Sequence, residues 1–294
     1  MSNDFDYTEK FQNILLQKYN MELFTSGLTG FEGFRFIDGQ TVRIPSLTLK
    51  GFKNHNRSGG FNRQDIACNQ KEFKLRHDRD VEFFVDCVDT DETDNELIAL
   101  NITDQFERDN AIPETDCYRI SEIYNQYVGF GGIIDNTELT EVNILEIIDS
   151  MMMTMDENQA PVNGRILYIT PSAYRLLKSA GCIQRTIELN TSEGNWDTSI
   201  TMLDGIKIVV VPSTRMMTKY DFTDGVAIAA DAKQIHMILI YPDSVIAVNK
   251  HSHIKLWPEG THTMGDGYLY QNRQYMDLFV IPDKINGIAI CVQS

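Results

Sequence analysis

Residues 72–85 follow a period of two, and this pattern constrains the fold more than any other part of the chain. Apolar side chains occupy odd positions and charged side chains lie between them. Because successive side chains of a strand point to opposite faces, the alternation predicts one long, half-exposed β-strand. The residues that carry the pattern are the apolar Phe73, Leu75, Val81, Phe83 and Val85 and the charged Glu72, Lys74, Arg76, Asp78, Asp80 and Glu82.

A second apolar-rich segment, 42–49, supplies a partner strand. Its pattern slips at Pro45, which predicts a bulge. A polar stretch bounded by glycines, 51–60, lies between the two strands, so the whole predicts a two-stranded arm over 41–85. Because an isolated ribbon of two strands is marginal in water, we expect this arm to lie on another subunit.

The arm is basic, whereas the rest of the chain is acidic. Residues 43–79 hold nine Lys/Arg and three Asp/Glu, a charge of +6, and the other residues hold 17 basic and 39 acidic side chains, a charge of −22. This partition favours docking of the arm on an identical neighbour. Exposed ribbons are also rich in lysine to discourage edge pairing, so charge alone leaves both explanations open. The arm residues expected at the subunit contact are Lys50, Lys53, Asn54, His55, Arg57, Arg63, Lys71, Lys74 and Arg76.

The segment 86–96 contains six acids and no base. Acids favour the N-terminus of a helix, which is the simpler explanation, and they are also candidates to receive the basic arm of a neighbour. The pattern predicts a helix from about Thr93 that restarts or kinks at Pro113 and stops at Gly129. The acidic candidates are Asp86, Asp89, Asp91, Glu92, Asp94 and Glu96.

The remaining sequence alternates helix and strand patterns, which predicts an α+β chain. An amphipathic helix over 7–19 opens an N-terminal arm, and a second helix covers 138–155. Thr170 is expected to cap a short helix that ends at Gly181. The predicted strands are 165–170, 206–211, 226–230, 235–241, 245–248, 251–257, 268–281 and 288–292.

Short catalytic and metal-binding signatures are missing from the sequence. There is no phosphate-binding glycine loop, nucleophile elbow or zinc-protease motif. The triad Asp89, Asp91 and Asp94 departs from a calcium loop at its sixth and twelfth positions. His251 and His253 share one strand face without an apparent third ligand. We therefore predict no catalytic residue, metal or cofactor, and a protein that is not an enzyme.

The net charge, the cysteines and the apolar runs limit the kinds of partner and environment expected for this chain. A net charge of −16 argues against a generic nucleic-acid binder, so any DNA contact is expected to be weak and non-specific. Five widely spaced cysteines, with Cys117 and Cys182 tied to no evident base, indicate reduced thiols. Apolar runs such as 206–211 are of strand length, so no membrane span is predicted.

Several motifs resemble those of tailed-bacteriophage capsid proteins. The sequence from Gln105 to Arg108, followed by 112–121 with its Ile-Pro-Glu and Tyr-Arg elements, resembles their long-helix region. The segments 203–213, 241–248 and 284–288 resemble the turn into a buried strand and the closing parts of the same family. In order, the pieces resemble the Hong Kong 97-type capsid fold, an α+β fold with an N-arm, an E-loop hairpin, a long spine helix, a P-domain and an A-domain.

The resemblance implies a division of the chain and a function. The expected division is an N-terminal arm at 1–40, the E-loop hairpin at 41–85, the P-domain spine helix at 86–130, mainly A-domain at 131–248, long P-domain strands at 249–282, and a strand returning to the A-domain at 283–294. The implied function is a major capsid protein that forms hexamers and pentamers in an icosahedral shell around double-stranded DNA. The implied location is the virion, after assembly in the host bacterial cytoplasm.

The resemblance also implies partners. The resemblance implies a separate scaffolding protein or none, since about forty residues before the hairpin leave no room for a built-in scaffolding segment. Separate portal and decoration proteins are further candidate partners. Membrane contact is not expected. An encapsulin-like bacterial compartment shell is the alternative with the same fold, and a soluble α+β enzyme with an unrecognised site is the third explanation.

Overall fold

A computed structural model describes residues 23–28, 35–38, 40–48, 52, 54, 67–86, 103–180, 188–190, 195–197 and 200–293. They form an α+β fold. The helices are α1 (Ile112–Gly129), α2 (Ile144–Glu157) and α3 (Pro171–Ser179). The strands are β1 (Arg35–Phe36), β2 (Thr41–Thr48), β3 (Ala67–Lys74), β4 (His77–Asp86), β5 (Ile134–Asp135), β6 (Ile166–Ile169), β7 (Glu188–Asn190), β8 (Asn195–Asp197), β9 (Met202–Leu203), β10 (Ile206–Val210), β11 (Tyr220–Asp221), β12 (Ala227–Ile228), β13 (Ile235–Ile240), β14 (Val245–Trp257), β15 (Gly267–Val280) and β16 (Ile288–Val292).

A six-stranded mixed sheet in the order β5-β16-β13-β6-β10-β9 forms the centre of the body. The side chains of β6 are all buried and alternate between its two faces. Ile166 and Tyr168 pack in the cluster that contains α1, whereas Leu167 and Ile169 pack in the cluster that contains α2 and α3. Helices therefore cover both faces of this sheet, which accounts for its apolar strands.

The long helix differs from the prediction at one point. Pro113 lies in the first turn of α1, and the helix runs through it without a break. Immediately upstream, Glu107–Ala111 forms a π-helical turn, preceded by helical residues 103–106. Because proline cannot donate a backbone hydrogen bond, the wider turn accommodates it where a restart was predicted. The predicted stop at Gly129 is confirmed, and the predicted start at Thr93 lies outside the described residues.

A second sheet, in the order β14-β15-β4, is long and narrow. β14 is one strand where two were predicted, with a register shift between Asn249 and His251 that explains the interrupted pattern. One face of this sheet packs on the helical segment just before α1. The residues of that contact are Val81, Phe83, Phe106, Ile254, Leu256 and Tyr270.

The predicted strand over 72–85 is divided into two. β3 pairs with β2, whereas β4 pairs with β15, and the division falls at Leu75 and Arg76. The reason is burial, since Leu75 is enclosed in a cluster with Phe279 and Ile281 of the body. The hairpin β2–β3 has an uninterrupted register through Pro45, so the predicted bulge there is wrong.

Other boundaries shift by small amounts. The helix predicted at 138–155 spans Ile144–Glu157, and the strand predicted at 226–230 shrinks to Ala227–Ile228. The Thr170 cap is confirmed, since its Oγ1 accepts from the Ala173 amide at 3.4 Å, although the helix ends at Ser179. The predicted helix at 7–19 lies outside the described residues. Among the helices described, none has both the length and the apolar character needed to cross a membrane.

Candidate functional site

The predicted contact residues of the hairpin fall into three groups. Lys71 is engaged within its own chain, since its Nζ lies 2.7 Å from the Asp283 carboxylate of the closing 3₁₀ segment. Asn54, Lys74 and Arg76 are exposed. Lys50, Lys53, His55, Arg57 and Arg63 lie outside the described residues.

Asp277 joins the base of the hairpin to the body. This buried carboxylate accepts from the Arg76 amide at 2.8 Å and from the Tyr118 hydroxyl of α1 at 2.8 Å. The Leu278 amide donates to it as well, at 2.7 Å. Burial raises the pKa of Asp277, and these donors oppose that shift by stabilising the charged form. The chain direction at Arg76 is therefore set jointly by β15 and α1.

His77, the next residue, stacks on Tyr118 with ring centroids 3.9 Å apart. Beside it, Arg79 donates to the Glu114 carboxylate at 2.7 Å, with Nε2 of His77 3.6 Å from the same carboxylate. Burial lowers the pKa of His77 to about 4, so the ring is neutral at neutral pH. This cluster packs β4 against α1.

A second buried cluster anchors the N-terminal arm. The fully buried Asp116 of α1 accepts from the Thr25 amide at 3.1 Å, from the Thr25 hydroxyl at 2.8 Å and from Arg215 at 3.1 Å. Arg119 donates to the same hydroxyl at 3.1 Å. Burial raises the pKa of Asp116, and the bonds from Thr25 oppose that shift. The segment Phe24–Leu28 is thereby fixed on the long helix.

The π-helical turn carries a third buried carboxyl. Glu107 accepts from the Tyr270 hydroxyl at 2.8 Å and from the Asn272 side-chain amide at 2.5 Å, both on β15. Burial raises the pKa of Glu107 to about 7, with a smaller contribution from the nearby Asp104. Sequence reasoning missed all three carboxylates as anchors. The sequence did contain a signal for them, since each lies within an apolar helix or strand pattern. A charged residue that is buried at such a position needs a hydrogen-bonding partner.

Among the described residues, the structure assigns no metal-binding or catalytic role to the acidic candidates or to the possible metal ligands. Asp86 is exposed at the end of β4, and Asp89, Asp91, Glu92, Asp94 and Glu96 lie outside the described residues. His251 and His253 stack 6.0 Å apart on β14, and within the described ranges no three His, Cys, Asp or Glu side chains are grouped to hold a metal. Burial raises the pKa of Cys117 to about 11, and Cys182 is not described.

No family model matches the sequence, and comparison with curated proteins finds no match. Solved structures do match. The capsid of Cyanophage P-SCSP1u is 13% identical over 87% of this chain and 84% of that one, with a TM-score of 0.62. The mature capsid of bacteriophage PhiM1 is 13% identical over 87% and 82%, with a TM-score of 0.61. A virus-like particle from Pyrococcus furiosus is 14% identical over 98% and 99%, with a TM-score of 0.51.

These matches define the class of fold. The chain has the α+β capsid fold of tailed phages, the Hong Kong 97-type fold predicted from the sequence. The matched structures are shells, and the side-chain clusters described above fix an arm and a hairpin to a body. In this fold, the hairpin, the arm and the narrow sheet are each fixed to the body by a buried carboxyl group.

Proposed function

We propose that this chain is the major capsid protein of a tailed bacteriophage, forming hexamers and pentamers in an icosahedral shell around double-stranded DNA. The observation that carries this proposal is the likeness to two phage capsids over more than four fifths of each chain. Because the sequence identity is low, the argument for this function rests on the shared fold. One fold can serve several functions, so a second line of support is needed. The hairpin and its basic charge supply the second support.

The proposed subunit contact is electrostatic. The hairpin segment carries +6 and the remaining chain −22, so a neighbour presents a surface of opposite sign. Lys74 and Arg76 are exposed, and the undescribed Lys50, Lys53, His55, Arg57 and Arg63 belong to the same segment. Asp86 and the acids at 89–96 are the proposed receiving side chains. Lys71 serves a different role, because its partner is Asp283 of the same chain.

The domain division is part of the same proposal. The arm, spine helix, A-domain and P-domain keep their expected ranges, with one adjustment. Since β4 pairs with β15 along Asp86 to His77, we place it with the P-domain strands and end the E-loop hairpin at β3. The hairpin is then shorter than the predicted arm at 41–85. Among the described residues, β1 is the only other strand that pairs with it.

Further partners follow from a shell function. We propose separate scaffolding, portal and decoration proteins, weak non-specific contact with the packaged DNA, and a virion location after assembly in the bacterial cytoplasm. The charge of −16 supports weak DNA contact, because tight binding needs a basic surface to displace counterions. A gel shift at physiological salt checks this, and tight, sequence-dependent binding would overturn it.

Sedimentation of the purified chain, with negative-stain microscopy, tests the main proposal. Shells or capsomers are expected, and a chain that stays monomeric at every salt and protein concentration contradicts a capsid role. The double variant Lys53→Glu/Arg57→Glu should impair assembly while the subunit stays folded. Lys207→Glu/Lys233→Glu, with the same charge change at exposed body positions, is the matched control.

A compartment shell of the encapsulin type is the second candidate. The virus-like particle from Pyrococcus furiosus matches 98% of this chain and 99% of its own, which favours this alternative by length. Analysis of particle contents separates the two. Packaged double-stranded DNA supports the phage capsid, and a protein cargo without DNA supports the compartment.

A further inference from the structure

Two Asn-Gly pairs occur in the chain, and the structure places them in opposite surroundings. Asn163 and Gly164 lie in the exposed turn between α2 and β6. Asn286 and Gly287 belong to the closing 3₁₀ segment just before β16. In such a pair the glycine amide can attack the preceding side chain, because glycine has no Cβ to obstruct the approach. The two pairs therefore allow a comparison within one molecule.

The turn at Asn163 leaves the reacting groups free. Within the described ranges, neither the Asn163 side chain nor the Gly164 amide has a hydrogen-bond partner. Gly164 has a φ of +87°, and a Cβ at this position would meet no described atom within 4 Å. Glycine adopts this conformation without strain, and the space around it is open. The peptide between the two residues can therefore rotate to bring the Gly164 nitrogen to Cγ of Asn163.

The pair at Asn286 is held in place. Gly287 is buried, and a Cβ there would clash with the Ser244 side chain. The Gly287 carbonyl accepts from the Tyr241 amide at 2.8 Å, and a hydrogen bond donated by the Ile288 amide spans the pair. Ring closure at Asn286 has to break these contacts. The loss of two backbone hydrogen bonds slows the reaction there by about tenfold or more.

The residue after the exposed turn is a buried cation that ties the turn to α2. Arg165 is 1% exposed, and its guanidinium donates to the Asp156 carboxylate at 2.6 Å. It also donates to the carbonyls of Ala160 and Pro161, at 2.7 and 2.8 Å. We call these contacts the Arg165 brace. Because a buried charge is stable only with its partners in place, the brace depends on the length of backbone between Pro161 and Arg165.

We propose that Asn163 deamidates without an enzyme and that its isoaspartyl product disrupts the Arg165 brace. The Gly164 nitrogen loses its proton to solvent hydroxide and bonds to Cγ of Asn163, and the Cγ–Nδ2 bond breaks as ammonia leaves. Water then adds to one carbonyl carbon of this succinimide ring, and the bond from that carbon to the Gly164 nitrogen breaks. Opening at Cγ gives aspartate, and opening at the main-chain carbon gives isoaspartate. In sum, an amide and water become a carboxylate and ammonium.

The two products differ in their effect on the brace. Aspartate adds a negative charge at an exposed position and leaves the backbone length unchanged. Isoaspartate directs the main chain through the former side chain, which lengthens the backbone between Pro161 and Arg165 by a methylene group. The guanidinium then cannot keep all its partners. The loss of a buried hydrogen bond to this charged group should lower the melting temperature by about 3–10 °C.

Ageing of the purified chain at mildly alkaline pH tests the proposal. Peptide mass spectrometry should show conversion at Asn163 about tenfold or more faster than at Asn286. Isoaspartyl methyltransferase should label the aged chain at position 163, and the aged chain should melt at a lower temperature than the fresh one. Asn163→Gln is the matched variant, because its longer side chain closes a less favourable ring, and it should keep its melting temperature on ageing. Asn163→Asp carries the charge without the longer backbone and should melt as the fresh chain does.

Two results would overturn the proposal. An intact Asn163 after prolonged ageing, or equal rates of conversion at Asn163 and Asn286, contradicts the assignment of the site. An aged chain that carries isoaspartate at position 163 and melts as the fresh chain does contradicts the effect on the Arg165 brace. Both measurements use unassembled subunits, so either failure leaves the capsid proposal standing, and a chain that forms no shells leaves this inference standing.

Discussion

The six-stranded sheet and the hairpin β2–β3 are stabilised by different surroundings. Met237, Leu239 and Ile240 of β13 are completely buried between two helical layers. In the hairpin, residues 70–74 of β3 alternate between exposed and half-buried, and Val42 of β2 is buried against the body. Arg43 pairs with Glu72 across the strands on the surface at 2.6 Å. The body therefore carries its own core, whereas the described part of the hairpin is buried mainly at its base.

Three buried carboxyl groups fix other parts of the chain to the body. Asp277 holds the hairpin base, Asp116 holds the N-terminal arm, and Glu107 holds the narrow sheet on the helix. Hydrogen bonds to a buried carboxylate are directional, so they fix orientation as well as contact. The hairpin base, the N-terminal arm and the narrow sheet are thereby held in defined orientations on the body, as the proposed shell contacts would require.

The largest expected effect is in the body. Leu239→Ala leaves a cavity in the buried sheet and should lower the free energy of unfolding by about 2–5 kcal/mol. Phe73→Ala, at the half-buried hairpin base, should cost less than half as much. Urea denaturation of unassembled subunits checks both. Equal losses would remove the distinction between a self-sufficient body and a dependent hairpin.

The second-largest loss of stability is expected from removing Asp116, the side chain that anchors the N-terminal arm. Asp116→Ala leaves the buried Thr25 and the half-buried Arg215 without their acceptor and should destabilise the subunit by about 2–4 kcal/mol. Asp231→Ala removes an exposed partner of Lys219 and serves as the control, with a change within about 0.5 kcal/mol. Similar values for the two variants would show that the arm is not anchored at Asp116.

Glu107 predicts a pH dependence. Its pKa is raised from 4.5 to about 7 in the folded chain, so stability is fully present below pH 4.5 and is lost as pH rises through 7. Glu107→Gln should abolish this loss and stabilise the subunit at pH 8 by on the order of 1–3 kcal/mol. The amide nitrogen of Gln can donate to Oδ1 of Asn272, which has no partner among the described residues.

His77 acts in the opposite sense over a lower range. Its pKa is lowered from 6.5 to about 4, so stability is lost as pH falls from 6.5 toward 4. The Glu107 loss falls mainly between pH 4.5 and 7, where it opposes the His77 effect. Because Glu107→Gln keeps His77, the difference between this variant and the unmodified chain from pH 4.5 to 8 isolates the Glu107 effect. Thermal melts of Glu107→Gln and of the exposed control Glu146→Gln across that range provide the measurement. A wild-type-like pH slope in Glu107→Gln would contradict the assignment.

The smallest effect concerns the hairpin surface. A double-mutant cycle on Arg43 and Glu72, using alanine at each, should give a coupling of about 0.2–1 kcal/mol that weakens with salt. A coupling well above that range would mean that the hairpin is stabilised internally, and would reduce its need for a neighbour.

Much of the fold could be predicted because local patterns and packing agree. The strand 288–292 is predicted with the observed bounds, since all five residues are buried in the sheet. The division at Leu75 could not be predicted, because an alternating pattern has the same appearance whether a strand pairs with β2 or with β15. The π-helical turn and the Asp116 anchor depend on residues distant in sequence, which periodicity does not encode.

Cryo-electron microscopy of the purified, unmodified chain tests the central claim most directly. Closed shells with clusters of five and six subunits are expected, in which each hairpin crosses onto a neighbouring subunit. Dispersed monomers at high protein concentration, or shells in which the hairpin contacts only its own subunit, would contradict it.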